Sequence, residues 1–161
     1  MDADRSAARA VADTAAGLIL ASVEVTAPLE RAFRALATSE IVAWWVRPGI
    51  FDTREWQAEL RAGGLWLASG VGAAGPYSLE GRFVEVDPPR RLVHTWHPAG
   101  TDAPTTTVTY TLEAIGARTR ITLRHEGFTA ADACVNTALG WETSFARLAE
   151  LLARESAQPP A

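Results

Sequence analysis

Cysteine is nearly absent from this sequence, which has only Cys134 among its 161 residues. A single thiol cannot form an intramolecular disulfide, and such usage is typical of proteins in a reducing compartment. The first sixteen residues also lack the long apolar run of a signal peptide, because they mix three aspartates with two arginines. The apolar stretch that follows, GLILA, is too short to span a membrane. We therefore expect a cytoplasmic protein without a membrane span.

An excess of basic residues is also missing. Nineteen acidic residues outnumber fifteen basic ones, which gives a formal net charge of −4. This balance lacks the basic footprint of nucleic-acid-binding domains, so no nucleic-acid partner is expected. The three histidines contain no pair at the i, i+4 spacing of a helical zinc site, and the lone cysteine completes no ligand set. The sequence therefore predicts neither a metal nor a cofactor.

The length is that of a single domain, which buries roughly two thirds of the surface of its unfolded chain. Residues 1–16 are rich in alanine, but isolated helices of this length are marginal in water. A weakly structured N-terminal extension is expected there, as a short helix or a loose segment. Residues 17–155 are predicted to form the domain. Residues 156–161, SAQPPA, contain two prolines and are expected to be a flexible tail.

Between these ends, the apolar pattern predicts one strand, two short helices, six further strands and one long helix. The first strand is predicted over residues 18–25, the short helices over 29–37 and 40–46, and the long helix over 130–154. The six strands are predicted over residues 50–60, 65–71, 77–86, 91–96, 106–114 and 118–126. The apolar positions change face after Phe83, which predicts a β-bulge there.

The strand patterns also indicate how the elements pack. Residues 106–114 alternate strictly, with apolar side chains on one face and mostly threonine on the other, which is typical of an antiparallel sheet covered on one side. The long helix, at 1.5 Å per residue, extends roughly 37 Å and is long enough to cross the sheet. We therefore predict an α+β fold in which a strongly curved antiparallel sheet of about seven strands wraps around a long C-terminal helix.

Several segments, in this order and spacing, resemble one known superfamily. They are APLERAFRALATSEIVAWW (27–45), ELRAGGLWLA (59–68), LEGRFVEVDPPRRLVHTW (79–96), TTVTYTLEAIGARTRITLRHEGF (106–128) and the GW pair at 140–141. The chain resembles the START-like, Bet v-like helix-grip superfamily, also called SRPBCC, over about residues 18–152. Within it, the chain is similar to the C-terminal domain of the activators of the heat-shock-protein 90 ATPase.

The resemblance implies a deep apolar cavity between the sheet and the last helix, closed at one end by the two short helices. Members of the superfamily bind lipids, sterols, polyketides or other hydrophobic molecules, and a few cyclise or hydrolyse them. The activator homologues instead bind the chaperone through their surface. Because one fold hosts many activities, these are expectations about the class of ligand only.

The candidate cavity residues come from the aromatic positions and from the inward faces of the strands and the last helix. Adjacent residues on a helix or a strand point in different directions, so Trp44 and Trp45 cannot share one local surface. We expect Trp45 in the core and Trp44 at the cavity rim. The predicted ligand cavity consists of Trp44, Trp66, Tyr77, Phe83, His94, Trp96, Tyr110, His125, Cys134, Trp141 and Phe145. A filled core needs the same residue types, so the sequence does not separate a packed interior from a hollow one.

Three functions are consistent with these residues. The first is binding of a small hydrophobic ligand of lipid, polyketide or aromatic type, without cofactor or metal. The second is a cofactor-free cyclase or hydrolase in which His125 or His94 transfers a proton, but no second group aimed at the same point is evident. Cys134 lies on the apolar stripe of the last helix and is expected to be a buried, inert thiol.

The third function is a regulator that binds a chaperone. It is the least favoured, because the activators carry an additional N-terminal domain for which this sequence shows no counterpart. A homodimer remains open under all three functions.

Overall fold

In the computed structural model, residues 7–158 are described and form a nine-stranded antiparallel sheet and three helices. The strands are β1 (Arg9–Asp13), β2 (Leu18–Val25), β3 (Val46–Arg47), β4 (Phe51–Ala58), β5 (Leu65–Gly72), β6 (Gly75–Asp87), β7 (Arg91–Pro98), β8 (Thr106–Ile115) and β9 (Arg118–Glu126). The helices are α1 (Leu29–Ala37), α2 (Ile41–Trp44) and α3 (Ala131–Ala157). This is the predicted α+β helix-grip fold, with nine strands where about seven were expected.

The sheet curls around α3. Its strand order is β1-β2-β9-β8-β7-β6-β5-β4-β3, and every neighbouring pair is antiparallel. The backbone of α3 lies close to β1 and β2 near one edge of the sheet and close to β3 at the other edge. The middle strands therefore form an arch over the helix, and large side chains must bridge the distance beneath it.

The two additional strands correct two predictions. Residues 9–13 were expected in a weakly structured extension, but they form β1, which pairs with β2 from Arg9↔Ser22 to Asp13↔Leu18. Ala10 and Ala12 pack against the core, so pairing with β2 overrides the helical preference of alanine. Residues 1–6 lie outside the described part of the chain.

The second short helix was predicted over residues 40–46, but it ends at Trp44 and Val46 begins β3. Pro48 disfavours helical geometry at the residue before it, and Gly49 adopts a φ of 80° in the turn to β4. The short hairpin of β3 and β4 follows from these two residues. At the other end of the chain, α3 includes Ser156 and Ala157, which were expected in the flexible tail.

Other elements match the sequence pattern closely. The strands predicted over 18–25 and 118–126 and the helix predicted over 29–37 have the same bounds in the structure. The predicted bulge is confirmed by a register shift between Phe83 and Glu85 in the pairing of β6 with β7.

One stripe of α3 supplies the helix side of the core. It recurs at steps of three and four residues and is buried throughout. Its members are Cys134, Ala138, Trp141, Phe145, Leu148 and Leu152. Burying a large apolar side chain of this kind contributes roughly 1.5–3 kcal/mol to stability. No helix among the described residues combines the length and the apolar character needed to cross a bilayer.

Candidate functional site

Trp45 is the centre of the aromatic core. Its ring centroid lies between 5.1 and 6.1 Å from the centroids of all five other tryptophans. These are Trp44, Trp56, Trp66, Trp96 and Trp141. Most of these pairs are edge-to-face or tilted, the arrangement that aromatic quadrupoles favour. A single cluster therefore joins α2, β4, β5, β7 and α3.

A cavity of about 540 Å³ lies beside this cluster, between α3 and the strands β3, β4, β6 and β7, and is partly open to solvent. Its lining consists of Trp45, Arg47, Ile50, Phe51, Thr53, Tyr77, Leu79, Trp96, Pro98, Asn136, Thr137, Gly140, Trp141 and Ser144. The volume falls within the range of about 300–1,000 Å³ that is typical of small-molecule sites. Part of the space between the sheet and α3 is therefore not filled by side chains.

Three indole rings form one wall of the cavity. The centroids of Trp45 and Trp96 are 5.1 Å apart, and those of Trp96 and Trp141 are 5.6 Å apart. Trp45 and Trp141 are 6.0 Å apart in an edge-to-face arrangement. The Trp45 Nε1 atom is buried and has no hydrogen-bond partner among residues 7–158. The face that Trp45 presents to the cavity is accordingly apolar.

Trp45 is in the core as expected, whereas the expectation that Trp44 lies at the cavity rim is wrong. Trp44, predicted at the rim, does not line the cavity; its Nε1 donates to the Ala35 carbonyl oxygen at 2.9 Å, and its ring packs on Phe145. Trp45, predicted for the core, is buried there and also lines the cavity. The reason is that Trp45 leaves the helix with φ −78° and ψ 66°, which turns its ring toward the sheet while Trp44 faces α1 and α3.

His125 is hydrogen-bonded directly to the Trp141 indole and, through Thr106, to the backbone of Trp96. The Trp141 Nε1–H donates to His125 Nδ1 at 3.0 Å, and His125 Nε2 lies 2.6 Å from Thr106 Oγ1. Because an indole N–H only donates, Nδ1 is the acceptor and the proton of the neutral ring is on Nε2. The Thr106 hydroxyl then donates to the Trp96 carbonyl oxygen at 3.2 Å. Both ring nitrogens are therefore occupied, and His125 is a positioning residue.

Burial keeps His125 neutral. It is 0% exposed, and burial, assisted by the nearby His94, lowers its pKa to about 3. His94 has the same character, since burial lowers its pKa to about 4 although its hydrogen bond to the Thr95 carbonyl opposes this shift. The His94 Nδ1 atom lies 2.9 Å from that oxygen, and the ring centroid is 5.0 Å from that of Trp66. Neither imidazole lines the cavity.

Only part of the predicted cavity set lines the cavity. Tyr77, Trp96 and Trp141 do so. The others fill the space under the arch of the sheet instead, and all are buried. They are Trp44, Trp66, Phe83, His94, Tyr110, His125, Cys134 and Phe145. The prediction was wrong for these eight because an inward-facing position identifies the core side of the sheet, but not which part of that side stays empty.

Cys134 lies close to β2, away from the cavity. Its Sγ is 3.8 Å from the Leu18 carbonyl oxygen, and burial, together with the negative charge of Asp13, raises the pKa of the thiol. A thiol in this state is a poor nucleophile. Among residues 7–158, no cluster of three or more histidine, cysteine, aspartate or glutamate side chains is arranged to hold a metal ion.

Polar side chains at the cavity were the main feature that the sequence did not reveal. The Thr53 hydroxyl, 2% exposed, is hydrogen-bonded to the Tyr77 hydroxyl, and burial raises the pKa of this phenol while the bond to Thr53 lowers it. On α3, the lining residues Asn136, Thr137, Gly140 and Ser144 run beside the apolar stripe. This band of small and polar residues next to a buried stripe is a signal that could have located the cavity.

Comparisons with known proteins are informative about the fold. The family model described as "Activator of Hsp90 ATPase homolog 1-like protein" matches residues 26–153. Protein CV1439 from Chromobacterium violaceum is 25% identical and has a TM-score of 0.76, with 84% of this chain and 96% of that chain covered. The AHSA1 protein from Silicibacter pomeroyi is 23% identical with a TM-score of 0.72, and 86% and 99% of the two chains are covered.

A third similar structure is CalU16 from Micromonospora echinospora. It is 22% identical with a TM-score of 0.63, and 93% of this chain and 86% of that chain are covered. No curated protein matches the chain significantly. The solved structures therefore establish the fold, while the site has to be interpreted from its own residues.

Proposed function

The chain belongs to the family of activator of Hsp90 ATPase homolog 1-like proteins, and from its cavity we propose that it binds a small hydrophobic molecule between the sheet and α3. The observation that supports the proposal is the cavity of about 540 Å³ walled by Trp45, Trp96 and Trp141. Polar side chains from β3, β4, β6 and α3, among them Arg47, Thr53 and Tyr77, line other parts of the cavity. That combination is typical of sites in which apolar burial supplies affinity and a few polar groups supply orientation.

Affinity at this site would come from apolar surface removed from water. Each square ångström contributes about 25 cal/mol before the costs of association are subtracted. The indoles are held by packing and by the hydrogen bonds of His125, so the wall is already ordered without a ligand. An ordered wall limits the entropy lost on binding, which favours a rigid or aromatic ligand over a long flexible chain.

The alternative functions have less support. A cyclase or hydrolase that uses His125 or His94 would need an imidazole nitrogen facing the cavity, but both rings lie behind the wall. The titratable side chains that do line the cavity are Tyr77 and Arg47. The fold is also compatible with protein binding, and no observation in the described residues favours a chaperone surface over the cavity.

Binding of a neutral apolar probe tests the proposal. We expect N-phenyl-1-naphthylamine to bind at one saturable site, to quench tryptophan emission and to raise the melting temperature by mass action. Quenching should be strong because three of the six tryptophans line the cavity and the others surround Trp45. Fluorescence titration and thermal unfolding at increasing probe concentration provide the measurement.

A filled cavity should abolish this binding. Ser144→Phe adds a ring at a lining position that is 2% exposed, and we expect the affinity for the probe to fall at least tenfold. Ala146→Phe introduces the same residue at an exposed position of α3 and should bind the probe like the wild type. A wild-type protein that fails to bind the probe, or equal binding by both variants, would contradict the proposal.

A further inference from the structure

Arg47 is the one charged side chain among the described residues that line the cavity. The two-residue strand β3 determines its direction, because neighbouring residues on a strand point to opposite faces. Val46 lies in a separate outer groove with Asp52 and Arg54. Arg47 faces the cavity together with its cross-strand partner Phe51. The cation is thus directed to the ligand side by the geometry of the hairpin.

No acidic side chain balances this cation. Arg47 forms no salt bridge with any residue in the described range 7–158, whereas the nearby Arg54 pairs with Asp52 at 3.3 Å. The lining of the cavity contains no aspartate or glutamate either. A guanidinium that lines the cavity without a counter-charge is available to bind an anionic group of a ligand.

Hydroxyl groups also line the cavity. Ser144 is 2% exposed and is one of the lining residues on α3. The hydroxyls of Thr53 and Tyr77 are hydrogen-bonded to each other in the lining. These groups can donate hydrogen bonds to an anion, and no carboxylate is present to repel one.

We propose that the ligand is an amphipathic organic acid, whose flat apolar body lies against Trp45, Trp96 and Trp141 and whose carboxylate binds Arg47. This inference rests on the proposed function and specifies the class of ligand. The planar guanidinium can form a bidentate pair of hydrogen bonds with a carboxylate, and such charge-assisted hydrogen bonds are stronger than neutral ones. A wholly apolar ligand would cover the cation without compensating it, so the cavity selects for a molecule with one anionic end.

Two probes that share one body separate the two proposals. 1-Anilinonaphthalene-8-sulfonate carries a sulfonate on the skeleton of N-phenyl-1-naphthylamine, which is neutral. We expect Arg47→Gln to lower the affinity for the sulfonate probe about tenfold or more, in line with a lost hydrogen bond to a charged group. The affinity for the neutral probe should stay within about twofold, because the apolar wall is unchanged. Both are measured by fluorescence titration of the same protein preparations.

Arg54→Gln is the matched control. It removes the same charge from the neighbouring strand but outside the cavity lining, so both probes should bind as in the wild type. Arg47→Lys keeps the charge but loses the planar group that forms bidentate hydrogen bonds. Its affinity for the sulfonate probe should therefore lie between that of the wild type and that of Arg47→Gln. It also serves as the test variant if Arg47→Gln does not fold. In the wild type, added salt should weaken only the sulfonate probe.

The outcomes distinguish failure of either proposal. If the neutral probe does not bind the wild type, the proposed function fails. If both probes bind but Arg47→Gln weakens both equally, or neither, the assignment of an acidic ligand is overturned while the binding function stands.

Displacement of the sulfonate probe by naphthalene-2-carboxylate, but not by the matching carboxamide, would identify the carboxylate as sufficient. Equal displacement by the two compounds would overturn the inference.

Discussion

Between about pH 6 and pH 4.5, the protein is expected to lose up to about 3 kcal/mol of unfolding free energy for each pH unit because of two buried histidines. Burial lowers the folded-state pKa of His125 to about 3 and that of His94 to about 4. In the unfolded chain both return to about 6.5, so the unfolded state binds more protons in this window. Stability from these groups is therefore fully present well above pH 6.5 and is lost as the pH falls through 6.5 toward the folded-state pKa values.

Urea unfolding at a series of pH values provides the measurement. The slope of unfolding free energy against pH is expected to fall by about half in His125→Gln or in His94→Asn, because each variant removes one titrating ring. The slope is informative whatever the baseline stability of the variant. Ile121→Val, a buried change that keeps both histidines, controls for simple destabilisation and should retain the wild-type slope. A histidine variant with an unchanged slope would contradict the proposed linkage.

Protonation of His125 in acid should also disturb the wall of the cavity. A proton on His125 Nδ1 would remove the acceptor for the Trp141 indole N–H, and both of these groups are buried. An unpaired buried donor costs roughly 1–3 kcal/mol. We therefore expect probe binding and folding to be lost together in acid, since the same hydrogen bond orders the wall and stabilises the core.

Replacement of Gly81 by alanine is expected to destabilise the protein by about 3 kcal/mol. A Cβ atom at this position would lie 2.0 Å from the Thr95 carbonyl oxygen and 2.3 Å from Trp66 Nε1. The Trp66 indole crosses this point to donate to the same Thr95 oxygen at 3.0 Å. Alanine must therefore displace the indole and break its hydrogen bond. The midpoint of urea unfolding measures the effect.

Gly72→Ala is the control for Gly81→Ala. It lies at the end of β5, and its nearest heavy atom would be 3.4 Å from the new Cβ, so little change is expected. A double-mutant cycle then identifies the cause. In a Trp66→Phe background, the cost of Gly81→Ala should shrink, because the N–H and the larger ring are already gone. An equal cost in both backgrounds would show that the clash with Thr95 alone is responsible.

The site is a consequence of the arch of the sheet. The backbone of α3 lies close to the sheet near its two edges, and aromatic side chains fill most of the distance under the middle strands. Small and polar residues on α3 occur where the cavity lies, among them Gly140, whose added Cβ would lie 3.3 Å from Phe51 Cε1. The cavity is therefore the region in which the large side chains of the sheet meet small side chains of the helix.

Much of the fold could be predicted from local pattern. The alternation in β8 and β9 and the apolar stripe on α3 depend on residues near each other in the chain. Their periodicity predicts the element type and the buried face, because side chains repeat every two residues on a strand and every 3.6 on a helix. The segments that resemble the helix-grip superfamily then gave the correct order of elements.

Strands β1 and β3 were not predictable in this way. Each strand is stabilised by pairing with a neighbouring strand, and its own sequence does not have a strand pattern. Ala10 and Ala12 in β1 favour a helix, and Val46 in β3 continues the apolar run of the preceding helix. Backbone hydrogen bonds to a partner strand depend on the tertiary structure, so the secondary-structure propensity of a short segment does not predict them. The contribution of Trp45 rather than Trp44 to the cavity wall was also not predictable, because the turn after α2 sets the direction of the Trp45 ring.

The sequence by itself determined the class of the fold, the buried faces and the aromatic character of the interior, since these follow from periodicity and residue type. The tertiary structure alone decided that His125 supports the wall instead of facing a ligand, and that Arg47 faces the cavity. The physical reason is that an inward direction is a property of one strand. Empty volume is a property of the distance between a sheet and a helix and of all the side chains that share it.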